Sequence, residues 1–187
     1  MPLKISHRIE AAVALLNPRP GERLLEIGCG TGQAIQAVVA RCPTASVIAI
    51  DRSEKAVARA RVVNAEAVDA RQVSVSVDDV ERGPIAPGSF DRAFAIRVNS
   101  FWTRPGVALP HAAASLRPHG ELWMIYDASS PKIVPIMASL RAFGMQDVRS
   151  KSAAGAFAII GKWDGLAHRQ STARVSPLTI TCKSGCS

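Results

Sequence analysis

Between Leu24 and Gln33 the chain reads Leu-Leu-Glu-Ile-Gly-Cys-Gly-Thr-Gly-Gln, an apolar run closed by glycines on alternate positions, 28, 30 and 32. A short apolar run entering such a turn is a buried strand. The glycines let the backbone take positive φ and come close to a ligand that a Cβ would push away. A helical pattern follows, with Ile35, Val38, Val39 and Cys42 on one face. The stretch therefore predicts a strand, a tight turn and a helix, with the ligand against main chain.

Spacing discriminates among the nucleotide-binding loops that share this shape. A dinucleotide fingerprint has its third glycine three residues after the second, where this chain has Gln33. A P-loop ends in Gly-Lys-Ser/Thr, and no lysine stands nearby. The remaining pattern, Glu26-x-Gly28-x-Gly30-x-Gly32, resembles the first motif of the class I methyltransferases that use S-adenosylmethionine (SAM). Ser46–Asp51 is a second apolar strand ending in a carboxylate, about twenty residues past the glycines, where an acid accepts from ribose hydroxyls. Asp51 is the expected ribose ligand.

The resemblance runs from Glu22 to Trp163. Val73–Val77 alternates as a strand does and leads into Asp78-Asp79-Val80. In the family, a carboxylate at that point accepts from the adenine amino group and the next N–H meets the ring. Alignment from Pro84 and Gly88-Ser89-Phe90-Asp91 assigns these parts to Asp79 and Val80, with Asp78 as the alternative one residue away. Phe90-Asp91 opens a strand running from Arg92 to Val98, and Leu116-Arg117-Pro118-His119-Gly120 is similar to the family's Leu-Arg/Lys-Pro-Gly-Gly turn with His119 in place of a glycine. The resemblance implies cofactor contacts at Glu26, Gly28, Cys29, Gly30, Thr31, Gly32, Asp51, Arg52, Asp78, Asp79, Val80, Ile96 and Arg97. The methyl group is expected beside Arg97, Asn99, Phe101 and Trp102, with Asn99 and Trp102 positioning the acceptor; Asn99 is no general base at neutral pH.

The other expected elements are a helix over 6–16 capped by Ser6, one over 53–64 capped by Ser53, one starting at Pro110, and one over 131–143 ending at Gly144. Glu121–Tyr126 reads as a strand, and 146–151 with 156–163 as a hairpin. Alternating strands and helices that end in a hairpin predict an α/β fold, and with the resemblance a three-layer Rossmann-like sandwich: a seven-stranded, mostly parallel sheet with one antiparallel strand. One domain is expected over 1–163. The segment 164–187, rich in Ser, Thr, Arg and Gly, is expected to be a disordered tail.

The formal charge of +8 is spread along the chain without a long basic run, so a nucleic-acid partner is possible but not favoured. The N-terminal residues lack the apolar segment of a secretory signal and no membrane-length apolar run occurs, which predicts a cytoplasmic protein without a membrane partner. Cys29, Cys42, Cys182 and Cys186 form neither a disulfide framework nor a good zinc site, so no metal is expected. Three functions compete: a methyltransferase acting on a small-molecule acceptor with SAM, releasing S-adenosylhomocysteine (SAH); an RNA or protein methyltransferase; and a SAM-binding protein without turnover. The first is favoured, and the Asn/Asp-Pro-Pro-Tyr/Phe motif of aminomethylating families is missing, Val98-Asn99-Ser100-Phe101 standing in its place.

Overall fold

The structure, a computed structural model, describes residues 5–127, 133–153 and 155–165. In chain order these form α1 (His7–Leu16), β1 (Arg23–Ile27), α2 (Gln33–Arg41), β2 (Ser46–Asp51), α3 (Glu54–Val63), α4 (Ala65–Asp69), β3 (Val73–Val77) and β4 (Phe90–Ile96). They continue with α5 (Ser100–Thr103), α6 (Pro105–Ser115), β5 (Leu116–Asp127), α7 (Ile133–Phe143), β6 (Gln146–Ala153) and β7 (Ala156–Lys162). The strands make one seven-stranded sheet in the order β3-β2-β1-β4-β5-β7-β6. β7 runs antiparallel to both β5 and β6, and the other pairs are parallel.

Strand alternation divides the core between the two faces. On β1, Leu24 packs with α1, α2 and α3 through Leu16, Ile35, Val38 and Val57, while Leu25 and Ile27 face the other side with Phe101, Leu109 and Leu140 of α5, α6 and α7. The two layers of helices around the sheet give the expected three-layer sandwich. Chain order reverses direction between β1 and β4, and the carboxyl ends of these strands flank the crevice where open α/β sheets bind ligands.

A buried ion pair fixes α1 to the sheet. Arg92 of β4 is 2% exposed, pairs with Glu22, and donates to the carbonyls of Leu16 (2.6 Å) and Asn17 (3.2 Å) at the end of α1. Its guanidinium also lies over the Trp123 ring at 5.4 Å. At the far edge, β6 is largely exposed and its register with β7 shifts between Gln146 and Arg149, where Asp147 takes φ +45°.

Several local expectations are corrected. The helix expected to start at Pro110 starts at Pro105, which occupies the first turn where its missing N–H costs nothing; Pro110 lies inside it. Ala108, Leu109, Ala112 and Ala113 are buried on both sides of Pro110, and their packing carries the helix through that residue. Leu116–Gly120 belongs to a bulged start of β5, and His119 keeps φ +67°, so the turn retains the conformation a glycine would favour. Neither the short α5, which follows Asn99, nor α4 is among the elements expected from the sequence. Ser53 caps α3 by accepting from Ala56 N at 3.3 Å, whereas Ser6 makes no side-chain cap; its N–H donates to Gln33 Oε1 at 3.0 Å. The expected helix start at Pro131 and most of the expected tail, from residue 166 on, lie outside the described residues, as do Cys182 and Cys186.

Candidate active site

The three glycines after β1 have three different neighbours. All take positive φ: +77° at Gly28, +53° at Gly30 and +81° at Gly32. A Cβ on Gly28 would stand 2.7 Å from Val98 Cγ2, and a Cβ on Gly32 would stand 2.6 Å from Asn64 Nδ2 and 2.9 Å from Ala60. Those two positions are filled by the end of β4 and by α3. At Gly30 a Cβ would meet nothing within 4 Å, so here the loop backbone faces open space. Of the three, Gly30 is the one whose missing side chain leaves no contact within the fold.

Asp51 at the end of β2 clasps this loop. Its Oδ2 accepts from Gly30 N at 2.9 Å and its Oδ1 from Ser53 N at 2.9 Å, while Gly28 N and Cys29 N both donate to Ile50 O, at 2.8 and 3.0 Å. Beneath the loop Glu26 is buried, and that burial, with the Asp51 charge adding to it, pushes its carboxyl well above the usual range. Glu26 Oε2 has no hydrogen-bond partner among the described residues. Burial, then the charges of Glu26 and Asp51, push the Cys29 thiol up to about 12, which leaves it inert as a nucleophile.

A cleft of about 350 Å³ opens in front of the loop. Gly28, Asp51 and Arg52 line one side, Asp78, Asp79 and Val80 the next, and Ile96, Arg97 and Asn99 the far wall. The segment after β3 is held from α6: the His111 ring bonds through Nδ1 to Val80 O at 2.8 Å, and Arg104 pairs with Glu81 at 2.8 Å. At the far wall Arg97 takes φ +61°, a conformation worth roughly 1–3 kcal/mol of strain in a non-glycine residue. Two bonds from β5 hold it there: Arg97 N donates to Ile125 O and the Tyr126 hydroxyl donates to Val98 O, each at 2.9 Å.

Nine of the residues singled out in the sequence thus line one cleft: Gly28, Asp51, Arg52, Asp78, Asp79, Val80, Ile96, Arg97 and Asn99. Glu26 lies under the loop, Cys29 is buried, Thr31 is exposed, Gly32 packs on α3, and Gly30, bonded to Asp51, stands beside the cleft, so none of these five lines its surface. Trp102 is 40% exposed and donates its indole N–H to Asn99 Oδ1 at 3.1 Å, and Phe101, expected beside the methyl group, is fully buried in the core. Sequence reading missed Asn64, which braces the loop by donating to Gly32 O (3.1 Å) and Ala60 O (2.9 Å), and missed His111. An asparagine at a helix end was the available signal for the first; His111, nearly two turns into the apolar α6, gave none.

A family model described as a methyltransferase domain matches residues 24–120. The chain belongs to the class I SAM-dependent methyltransferases. The chain is 30% identical over 154 residues to the ubiquinone/menaquinone biosynthesis C-methyltransferase UbiE of Dinoroseobacter shibae, covering 72% of this chain and 60% of that protein. It is 32% identical over 107 residues to an O-methyltransferase of Pyrenophora dematioidea, covering 57% of this chain and 40% of that protein. The chain spans less than two thirds of the length of these relatives. Among solved structures, a SAM-dependent methyltransferase of Methanococcus maripaludis superposes with a TM-score of 0.71 at 16% identity, covering 84% of this chain and 85% of that one, a likeness of fold. Among the described residues, no helix is long and apolar enough to cross a membrane and no cluster could hold a metal ion.

Proposed function

We propose that this protein binds SAM in the 350 Å³ cleft and transfers its methyl group to a small-molecule acceptor, leaving SAH. The observation that carries the reading is one cleft to which the ends of β1, β2 and β4 and the segment after β3 bring Gly28, Asp51, Asp79 and Asn99. The residues fit the cofactor: the buried Glu26 Oε2 lacks a partner beneath the loop, and each Asp51 oxygen spends one lone pair on the backbone and keeps another for a ribose hydroxyl. Asp79 and Val80 are the adenine contacts, with Arg52, Asp78, Ile96 and Arg97 completing the walls. Cys29, Thr31 and Gly32 shape the loop from behind.

When bound, SAM supplies an electrophilic methyl carbon whose bond to sulfur breaks, the electron pair going to sulfur, as an acceptor lone pair closes on it. The protein's part is to hold the acceptor in line, an effect worth ~7–11 kcal/mol at best. Asn99 serves that alignment. The Trp102 indole fixes which way the Asn99 amide is turned, so Trp102 acts through Asn99. A small-molecule acceptor draws support from the names of the O-methyltransferase and UbiE relatives. The cytoplasm is the proposed location, and 1–163 the proposed catalytic domain.

Calorimetry with SAM, SAH, NAD and NADP tests the cofactor: heat with either nicotinamide nucleotide and none with SAM or SAH refutes it. With labelled SAM and a cell lysate split into metabolite, RNA and protein fractions, label is expected among the metabolites. On the acceptor so found, Asn99→Ala and Trp102→Ala should lower turnover while SAM affinity stays within about threefold, ~0.7 kcal/mol. Normal turnover in both variants removes these residues from the acceptor site.

A further inference from the structure

A second cleft, of about 480 Å³, lies on the other side of the β4 end, between the start of α1 and the ends of β5 and β7. It shares Ile96 and Arg97 with the cofactor cleft, so Arg97 is the wall between the two. Its lining is mixed in an ordered way. Ile9, Ala12, Ile96, Ile125 and Ala156 are apolar, while Arg8, Arg97 and Asp127 bring charge. A concave apolar surface of this size with a few polar groups is the form of a small-molecule site.

Two observations specify what it takes. The first is the backbone of Arg97. Its φ of +61° is held by the Ile125 carbonyl and by Tyr126 acting on Val98, all from strands that form the floor of this cleft. Strain that neighbours over-determine at a cleft wall points to a functional constraint on the side chain it carries. The second is charge balance. The Arg97 side chain is 57% exposed and its Nε stands 3.8 Å from Asp127 Oδ2, a loose pair, and Arg8 has no carboxylate partner among the described residues. Two guanidiniums therefore face one carboxylate, an excess that a monoanion would neutralise.

We propose that this cleft holds the carboxylate end of the methyl acceptor, whose reacting end passes Arg97 to Asn99 in the cofactor cleft, and that the acceptor is a small monoanionic carboxylate with an apolar body. The planar carboxylate matches the guanidinium fork of Arg97, with Arg8 as the second counter-charge, and the body lies over Ile96, Ile125 and Ala156. A dianionic phosphate would exceed the local positive charge and face Asp127; a cation would be repelled. Naming the ligand an acceptor rests on the methyltransferase reading, whereas the preference for carboxylates rests on this cleft alone.

Calorimetric titration of the full chain saturated with SAH decides it, using 4-hydroxybenzoate and hexanoate, each beside its uncharged amide. The acids are expected to bind at least about tenfold tighter than the amides, and the advantage should shrink as salt rises. Arg8→Gln should cut the preference to about threefold or less and leave SAH affinity unchanged, because Arg8 lies on this cleft and not on the other. Arg97→Gln should also lose the preference. Equal binding of acids and amides overturns the proposal, as does an unchanged preference in Arg8→Gln, displacement of SAH by the acids, or no saturable binding of either acid. A protein that binds the acids with this preference but never SAH upholds the carboxylate cleft and refutes the methyltransferase reading.

Discussion

Gly30 and Gly32 sit two residues apart, both in the left-handed region, and substituting each by alanine should have opposite consequences. Both variants share the backbone term, about 1–2 kcal/mol for an L-residue in this region. Gly30→Ala adds no clash, since its Cβ would meet nothing within 4 Å. Gly32→Ala drives a methyl to 2.6 Å from Asn64 Nδ2 and 2.9 Å from the Ala60 backbone. Displacing Asn64 leaves the Gly32 and Ala60 carbonyls without its N–H groups, and overpacking α2 on α3 adds to that, for a total loss of about 4 kcal/mol. Measured against a typical stability of about 5–15 kcal/mol, this is severe. Urea unfolding should show Gly30→Ala within about 2 kcal/mol of the parent and Gly32→Ala far below it. SAH calorimetry should show the reverse order of damage wherever both are folded, with Gly30→Ala binding at least about tenfold more weakly. A Gly32→Ala protein as stable as the parent, or a Gly30→Ala protein with undiminished SAH affinity, refutes the division of labour between the two glycines.

Glu26 keeps its proton to higher pH in the folded chain than in the unfolded one, so its contribution to stability is full below the ordinary glutamate range and falls as pH rises toward the folded value. Glu26→Gln should match the parent near pH ~4 and be more stable near pH ~8, and parallel stability profiles would disprove this. Removing the Arg92 side chain with Arg92→Ala leaves Glu22 buried and two carbonyls of the α1 end unpaired; denaturant melts should lose about 3–5 kcal/mol, and a loss under about 1 kcal/mol would contradict the assignment. Ending the chain after Gly165 should preserve cooperative unfolding and SAH binding, because Trp163 is already secured by N–H to Gly120 O (2.8 Å), by His119 N–H to its carbonyl (2.6 Å) and by stacking on Phe143. Broad, non-cooperative melting of the shortened protein would make residues beyond 165 part of the fold.

The strands were legible because burial on both faces leaves apolar runs such as Val47–Ile50, and Leu24–Ile27 broken only by Glu26, and the glycine loop because its φ values admit few residue types. The cleft acids were legible because strand ends are fixed by the same runs that define the strands. Position along the chain does not reveal what a residue meets in space. The sequence offered Gly32 to a ligand, yet its neighbour is Asn64, thirty-two residues away, and Phe101, expected beside the methyl group, is turned inward by the unforeseen α5. Pro110 misled for a related reason: a proline marks a helix start by its own chemistry, and only tertiary packing overrules it. The second cleft had no sequence signature, since α1, β4, β5 and β7 meet there from distant parts of the chain.

The two outer strands of the sheet carry a consequence for self-association. Gln72 and Asp78 direct their backbone groups to β2, through Gln72 O with Val47 N and Asp78 N with Asp51 O, so alternation turns the groups of Val75 outward from β3. That outward carbonyl is already engaged: Arg61 of α3 donates to it through Nε at 2.9 Å and Nη2 at 2.6 Å. At the opposite margin the kink at Asp147 breaks the straight run of donors and acceptors, and Arg149 and Lys151 bring positive charge to the same strand. An incoming strand thus meets an occupied acceptor on one side and a bent, charged template on the other, which is how natural sheets resist growing into fibrils. Arg61→Ala, though far from both clefts, should therefore reveal itself first as a lowered concentration threshold for aggregation.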